Sequence, residues 1–190
     1  MPIISAMSRI AILGWGSLCW ETRPRFDSRH GHWSENGPTL KLEFSRISSS
    51  RGGALTLVIY PLHGEPNRVA FTLSRRANLD AVITDLRERE GTTPANIGFL
   101  APATARHRSR YRATIDWNRP WAVQEDVDAV IWTDLPSNFT NQPGTRFSVR
   151  PAIEYLERLE PGSKEIAFTY IRRAPAFIQT PLRSAIALPD

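Results

Sequence analysis

Two features of the chain combine residue type and spacing in a way that suits chemistry, and the first is Glu90. It lies eleven positions beyond Leu79, and at about 100° per residue a helix returns it to within about 20° of Leu79's direction. Leu79, Val82, Ile83 and Leu86 fall at the i, i+3, i+4, i+7 spacing of one apolar face. Glu90 extends that face, whereas Glu88 points to the opposite side. A carboxylate on a core-facing stripe loses hydration unless it finds partners. Burial also raises the proton affinity of a carboxyl group, toward the range useful for proton transfer at neutral pH. The same spacing admits a plainer outcome, in which the helix frays before Gly91 and Glu90 turns into water.

The second feature is the segment Gly14-Trp15-Gly16-Ser17-Leu18, two glycines and a serine at the end of an apolar run. Successive backbone N–H groups in such a turn can converge on an anion, and glycine lets a ligand approach the backbone closely. It is not a phosphate-binding loop of the Gly-Lys-Ser/Thr type, and the GxGxxG dinucleotide pattern is incomplete. A tight turn with no ligand satisfies the same residues.

Residues 10–15 read as a buried strand leading into that turn. Residues 21–38, rich in Arg, His, Gly and Pro, read as a surface excursion. Residues 40–48, 54–60 and 67–73 read as three strands joined by turn-forming linkers, an antiparallel meander. The helix bearing Glu90 begins at Asn78, a good N-cap, and Gly91 is placed to stop it. Residues 111–116 suggest another strand and 126–135 a strong one. A polar loop over 136–145 leads to helices near 149–159 and 163–173. Strands dominate the first half and helices enter late, which favours α+β over an alternating parallel sheet. No composition break divides residues 1–190, so one domain is expected.

The remaining candidates are weaker. His30 and His32 sit two apart but lack an assignable third ligand. Ser17 is not in a GxSxG elbow, and Cys19 after a buried strand suits packing better than reactivity. Glu21, Asp27 and Glu43 are reserve carboxylates. Trp117, Trp121 and Trp132 suit core or pocket wall better than a base-stacking platform.

With 41% hydrophobic and 23% charged residues the composition is that of a globular protein, and no apolar run is long enough to span a membrane. The start has no secretory pattern. With a single cysteine, an internal disulfide is excluded, and a cytoplasmic location is expected. Net charge is +5, nearly all the cations being arginine. The arginines read as scattered, with no Lys/Arg-rich block, so a generally basic surface or a small anionic substrate is expected rather than nucleic acid.

Leu13-Gly14-Trp15-Gly16-Ser17-Leu18-Cys19-Trp20 resembles the "GYGSLIW" signature that opens gamma-glutamylcyclotransferases, especially the ChaC-type enzymes that degrade glutathione. Downstream, the order of Phe26-Asp27, the segment with Phe44 and Arg46, residues 54–60 and Val69-Ala70-Phe71 is similar to that family. Arg87-Glu88-Arg89-Glu90-Gly91 resembles its helix-end "REREV" or "EQEG" segment, which carries the catalytic glutamate. The resemblance covers about residues 10–100. It implies a small mixed β-barrel with peripheral helices and no cofactor or metal. It also implies a lyase or transferase that cyclises a gamma-glutamyl group to 5-oxoproline and releases an amine or peptide. On that pattern Glu90 is the acid/base, and Trp15, Gly16, Ser17 and Leu18 bind the substrate. Trp15 replaces the motif's tyrosine, and Asn96-Ile97-Gly98-Phe99 departs from the family's "GGY". Both changes point to a different or more apolar substrate side chain. An alternative is a catalytically silent binding or regulatory protein that takes a small anion on the same fold; another is a general amide or amine lyase or transferase with an unrelated substrate.

Overall fold

A computed structural model describes residues 8–139 and 147–186. The opening residues 1–7, residues 140–145 of the polar loop and the tail from 187 lie outside the described residues. In chain order the elements are β1 (Ile10–Gly14), α1 (Pro24–Asp27), β2 (Thr39–Ser48), β3 (Ala54–Ile59), β4 (Glu65–Arg68), β5 (Ala70–Leu73) and α2 (Leu79–Glu90). They continue with β6 (Ile97–Ala101), β7 (Arg106–Arg108), α3 (Arg112–Gln124), β8 (Ala129–Thr133), α4 (Val149–Glu157), α5 (Pro161–Arg173) and α6 (Pro181–Ala185). The protein is α+β. Its strands form two open sheets, of five and three strands, so the expected closed barrel is not formed.

The described chain divides into two compact units that alternate along the sequence. The first comprises residues 1–14, 22–38 and 70–134, of which 1–7 are not described. Its sheet has the order β5-β1-β8-β6-β7. β1 runs parallel to β8, while the other neighbours are antiparallel. All of β1 is buried, as are Ala129, Val130, Ile131 and Trp132 of β8. Both faces of these strands are therefore covered, which is why they read as continuous apolar runs rather than alternating ones.

α2 packs against β8 and β6 through Val82, Ile83 and Leu86. The Asn78 side chain accepts the Ala81 N–H at 2.9 Å, a cap worth about 1 kcal/mol. At the other end Gly91 takes a left-handed conformation (φ 59°, ψ 38°), which only glycine adopts at little cost. Two paired bonds close the helix, Gly91 N–H to Glu88 C=O and Thr92 N–H to Arg87 C=O. The helix therefore runs through Glu90 without fraying.

Three expectations fail in this unit. Residues 111–116 are not a strand: Tyr111 caps α3, whose buried Thr114, Ile115, Asn118 and Ala122 follow helical spacing. The local β-branched residues and Pro120 mask that period, and packing on β6 and β8 overrides them. Residues 21–38 are not a mere surface excursion, because α1 buries Phe26, and His30 and Ser34 bridge to Ser74 and Phe71. The third predicted strand, 67–73, is two: the chain passes from one unit to the other at Val69 and Ala70.

The second unit comprises residues 15–21, 39–69 and 135–190, of which 140–146 and 187–190 are not described. Its sheet has the order β3-β2-β4, all antiparallel, so β2 is central and the predicted meander order is not followed. A register shift between Phe44 and Arg46 bulges β2 at Ser45. The bulge frees the Ser45 carbonyl, which accepts from the N–H groups of Asn138 and Phe139 and from the Ser137 hydroxyl. α5 covers β3 and α6 covers β2. Arg183 of α6 donates to the carbonyls of Ala174, Pro175 and Ile178 just beyond the end of α5; burial lowers its pKa.

Candidate functional site

Glu90 belongs to the first unit. Its side chain is 18% exposed against 38% for Glu88, the contrast that helical spacing predicts. Its Oε1 lies 3.6 Å from the Arg89 guanidinium, which is itself only 4% exposed. The carboxylate thus sits at the end of a closed helix, largely out of water, next to a desolvated cation.

Asp85, one turn earlier on α2, is the more deeply buried carboxylate at 6% exposure. Arg76 Nε approaches its Oδ2 at 2.6 Å, and Arg29 Nη1 pairs with its Oδ1. Both oxygens are committed to arginines from other segments, so Asp85 ties α2 to the chain before it and after β1. That is a structural task.

The glycine turn belongs to the second unit. Trp15, Gly16 and Leu18 are buried and Ser17 is half-buried. Residues Ser17–Cys19 form one 3₁₀ turn, with Cys19 N–H bonded to Gly16 C=O at 2.9 Å and Glu21 N–H to Ser17 C=O at 2.7 Å. The Trp15 indole N–H donates to the Leu57 carbonyl of β3 at 3.4 Å, so that ring is used in packing. Arg51 joins the turn to its surroundings: its Nη2 donates to Ser17 Oγ at 3.1 Å and to Glu21 Oε2 at 2.7 Å. The same guanidinium lies 5.1 Å from the Tyr170 ring centroid, and Trp20 meets Tyr170 edge-on. The structure therefore brings Trp15, Gly16, Ser17 and Leu18 together with Glu21, Arg51 and Tyr170, a polar and aromatic cluster with a fixed cation.

Comparison with protein-family models, with curated proteins and with solved structures finds no match.

The other sequence candidates go elsewhere. Glu43 is buried in the second unit; it accepts from Phe44 N–H at 2.7 Å and faces Leu182 N–H and the Thr180 side chain. Burial raises its pKa more than those hydrogen bonds lower it. Asp27 accepts the Arg23 N–H and closes its own short helix. His30 is buried against Phe26 and Trp33, and its Nδ1 meets the Gly31 carbonyl at 2.7 Å. His32 is exposed. Among the described residues no group of three or more His, Cys, Asp or Glu is arranged to hold a metal. Trp132 is fully buried, and Trp121 donates to the Asn36 carbonyl. Among the described residues no helix is long and apolar enough to cross a membrane.

Arg51, Asp85 and Tyr170 were not singled out as site residues from sequence. Asp85 lies about 60° from Val82 around α2, so the calculation that marks Glu90 places it on the flank of the same stripe. Arg51 gives no such signal, since its partners Ser17 and Glu21 are 34 and 30 residues away.

Proposed function

We propose that the chain is a gamma-glutamylcyclotransferase-like enzyme that cyclises a gamma-glutamyl group to 5-oxoproline and releases an amine or peptide. The observation that carries this is the state of Glu90: an 18% exposed carboxylate at the closed end of α2, 3.6 Å from a desolvated guanidinium. The arrangement of Ser17, Arg51 and Glu21 around the glycine turn supports it from the second unit.

Glu90, as carboxylate, takes a proton from the substrate's α-ammonium group and frees the nitrogen lone pair. That nitrogen attacks the gamma carbonyl of the same molecule, and a five-membered ring closes as the new C–N bond forms. Holding the chain folded supplies much of the rate, because the reacting atoms need not find each other. The resemblance assigns substrate binding to the turn Trp15–Leu18, whose Ser17 is held by Arg51. As the old C–N bond breaks, Glu90 returns its proton to the departing nitrogen. The attacking nitrogen sheds a second proton as it becomes the lactam N–H, and the departing amine takes one up and leaves as an ammonium ion. Protons and the substrate's own amine suffice for this route.

The test is to incubate the protein with a panel of gamma-glutamyl peptides and amines and to measure 5-oxoproline and free amine together. Equal amounts of both support the reaction. Silence from folded protein across the panel overturns it.

A further inference from the structure

The arginines are denser in one place than the sequence reading allows. Arg106, Arg108, Arg110 and Arg112 alternate through residues 106–112, and the first two stand on β7, an edge strand of the five-stranded sheet. Alternate residues of a strand share a face. Both guanidiniums accordingly lie over the ring of Phe99 on the neighbouring strand, 5.9 and 5.3 Å from its centroid. Arg108 is fixed further by its Nε, which donates to the Ile97 carbonyl at 3.0 Å. Arg110 and Arg112 are used elsewhere, on Asp134, Asn96 and Asp116.

Arg87 of α2 joins Arg106 and Arg108 in a cleft of about 370 Å³, lined also by Thr84, Pro94 and Phe99. The acidic group in its lining is Asp80, 3.7 Å from Arg106. Asp80 and Arg106 are both mostly exposed, so water and salt weaken that pair and it leaves the cleft positive. The Nη2 of Arg108 is buried and has no hydrogen-bond partner among the described residues. A ring face answers the charge of a guanidinium but accepts its N–H groups poorly. An N–H of a charged group left without an acceptor is costly.

We propose that this cleft binds the phosphate group of a small phosphomonoester. A carboxylate has two oxygens and is satisfied by one arginine fork, whereas a phosphate presents three acceptor oxygens and a charge close to −2 near neutral pH. Three guanidiniums and two peripheral carboxylates, Asp80 beside Arg106 and Glu88 3.6 Å from Arg87, match the phosphate better in both number and charge. The volume leaves room for a small organic body beside the phosphate.

The test is calorimetric titration of the full chain with inorganic phosphate and with a simple phosphomonoester, acetate serving as the comparison anion. Phosphate binds one to one, acetate does not, and Arg87→Gln and Arg106→Gln each weaken binding by about tenfold. Both of those side chains are substantially exposed, so their loss leaves the fold intact. Arg108→Gln also removes the bond to Ile97, and its unfolding curve is recorded beside its titration. Rising salt weakens binding in the wild type more than in either exposed variant. No phosphate binding, or binding that both exposed variants retain in full, overturns the proposal. A mixed-sequence single-stranded oligonucleotide binding where phosphate and the monoester do not also overturns it, in favour of a nucleic-acid surface.

Discussion

A Cβ atom at Gly16 would stand 2.8 Å from the Tyr170 hydroxyl oxygen and 3.9 Å from the ring carbon that bears it. Gly16 has a negative φ, −130°, so its conformation does not call for glycine; the close approach does. Tyr170 cannot easily yield, being buried with Phe44 and Trp20 against its ring. Gly16→Ala is expected to cost about 1–3 kcal/mol, the usual range for overpacking. Tyr170→Phe removes the clashing oxygen, and the double variant recovers most of that loss. Denaturant unfolding of both singles and the double checks this, and strict additivity would exclude the contact as the cause.

Asp85 holds two arginines with both oxygens at 6% exposure. Breaking a wholly buried pair costs about 3–5 kcal/mol, because one charge is stranded. Here the arginines are 24% and 41% exposed and can turn toward water. Asp85→Asn is therefore expected to cost about 2 kcal/mol, below that range. A Cm unchanged in urea would show that the arginines do not depend on it.

Glu43 gives a pH dependence with a definite sign. Its folded pKa is raised above the ordinary 4.5, burial being the largest cause. The folded state holds this proton more tightly than the unfolded chain. The resulting stability is complete below the unfolded value and is lost as pH rises through the folded one. Glu43→Gln, which keeps an acceptor for Phe44 N–H, is expected to gain on the wild type as pH rises from 4 to 8. A difference in unfolding free energy that stays constant over that interval contradicts the assignment.

The legibility of the fold in the sequence followed the range of the signals. α2 could be read to the residue because its cap, Asn78, and its stop, Gly91, act on their own neighbours. β1 and β8 were legible as apolar runs, but their parallel pairing joins residues more than a hundred positions apart and leaves no local mark. β4 and β5 merged into one predicted strand because Val69-Ala70 is apolar throughout, although the two halves serve different sheets. Glu90 and the turn at Gly16 were legible because each depends on nearby residues. Arg51 was not, since its importance arises only when the fold brings Ser17 and Glu21 to it.

Arg51 supplies a prediction specific to the turn. Arg51→Met keeps the apolar stem of the side chain but removes its donors to Ser17 and Glu21. KM for a gamma-glutamyl substrate is expected to rise about tenfold, as a lost charge-assisted bond implies, with kcat changed far less. Steady-state kinetics of the variant decides it. A fall in kcat at constant KM would move Arg51 from shaping the binding turn to assisting the bond-breaking step.

The central claim is that Glu90 moves the proton, and the direct measurement is 5-oxoproline release by the wild type and by Glu90→Gln, both shown folded by their unfolding curves. The wild type is expected to release 5-oxoproline in step with amine, and the variant to fall by at least about a hundredfold, the usual scale of general acid–base catalysis. Equal release by the two proteins would contradict the account.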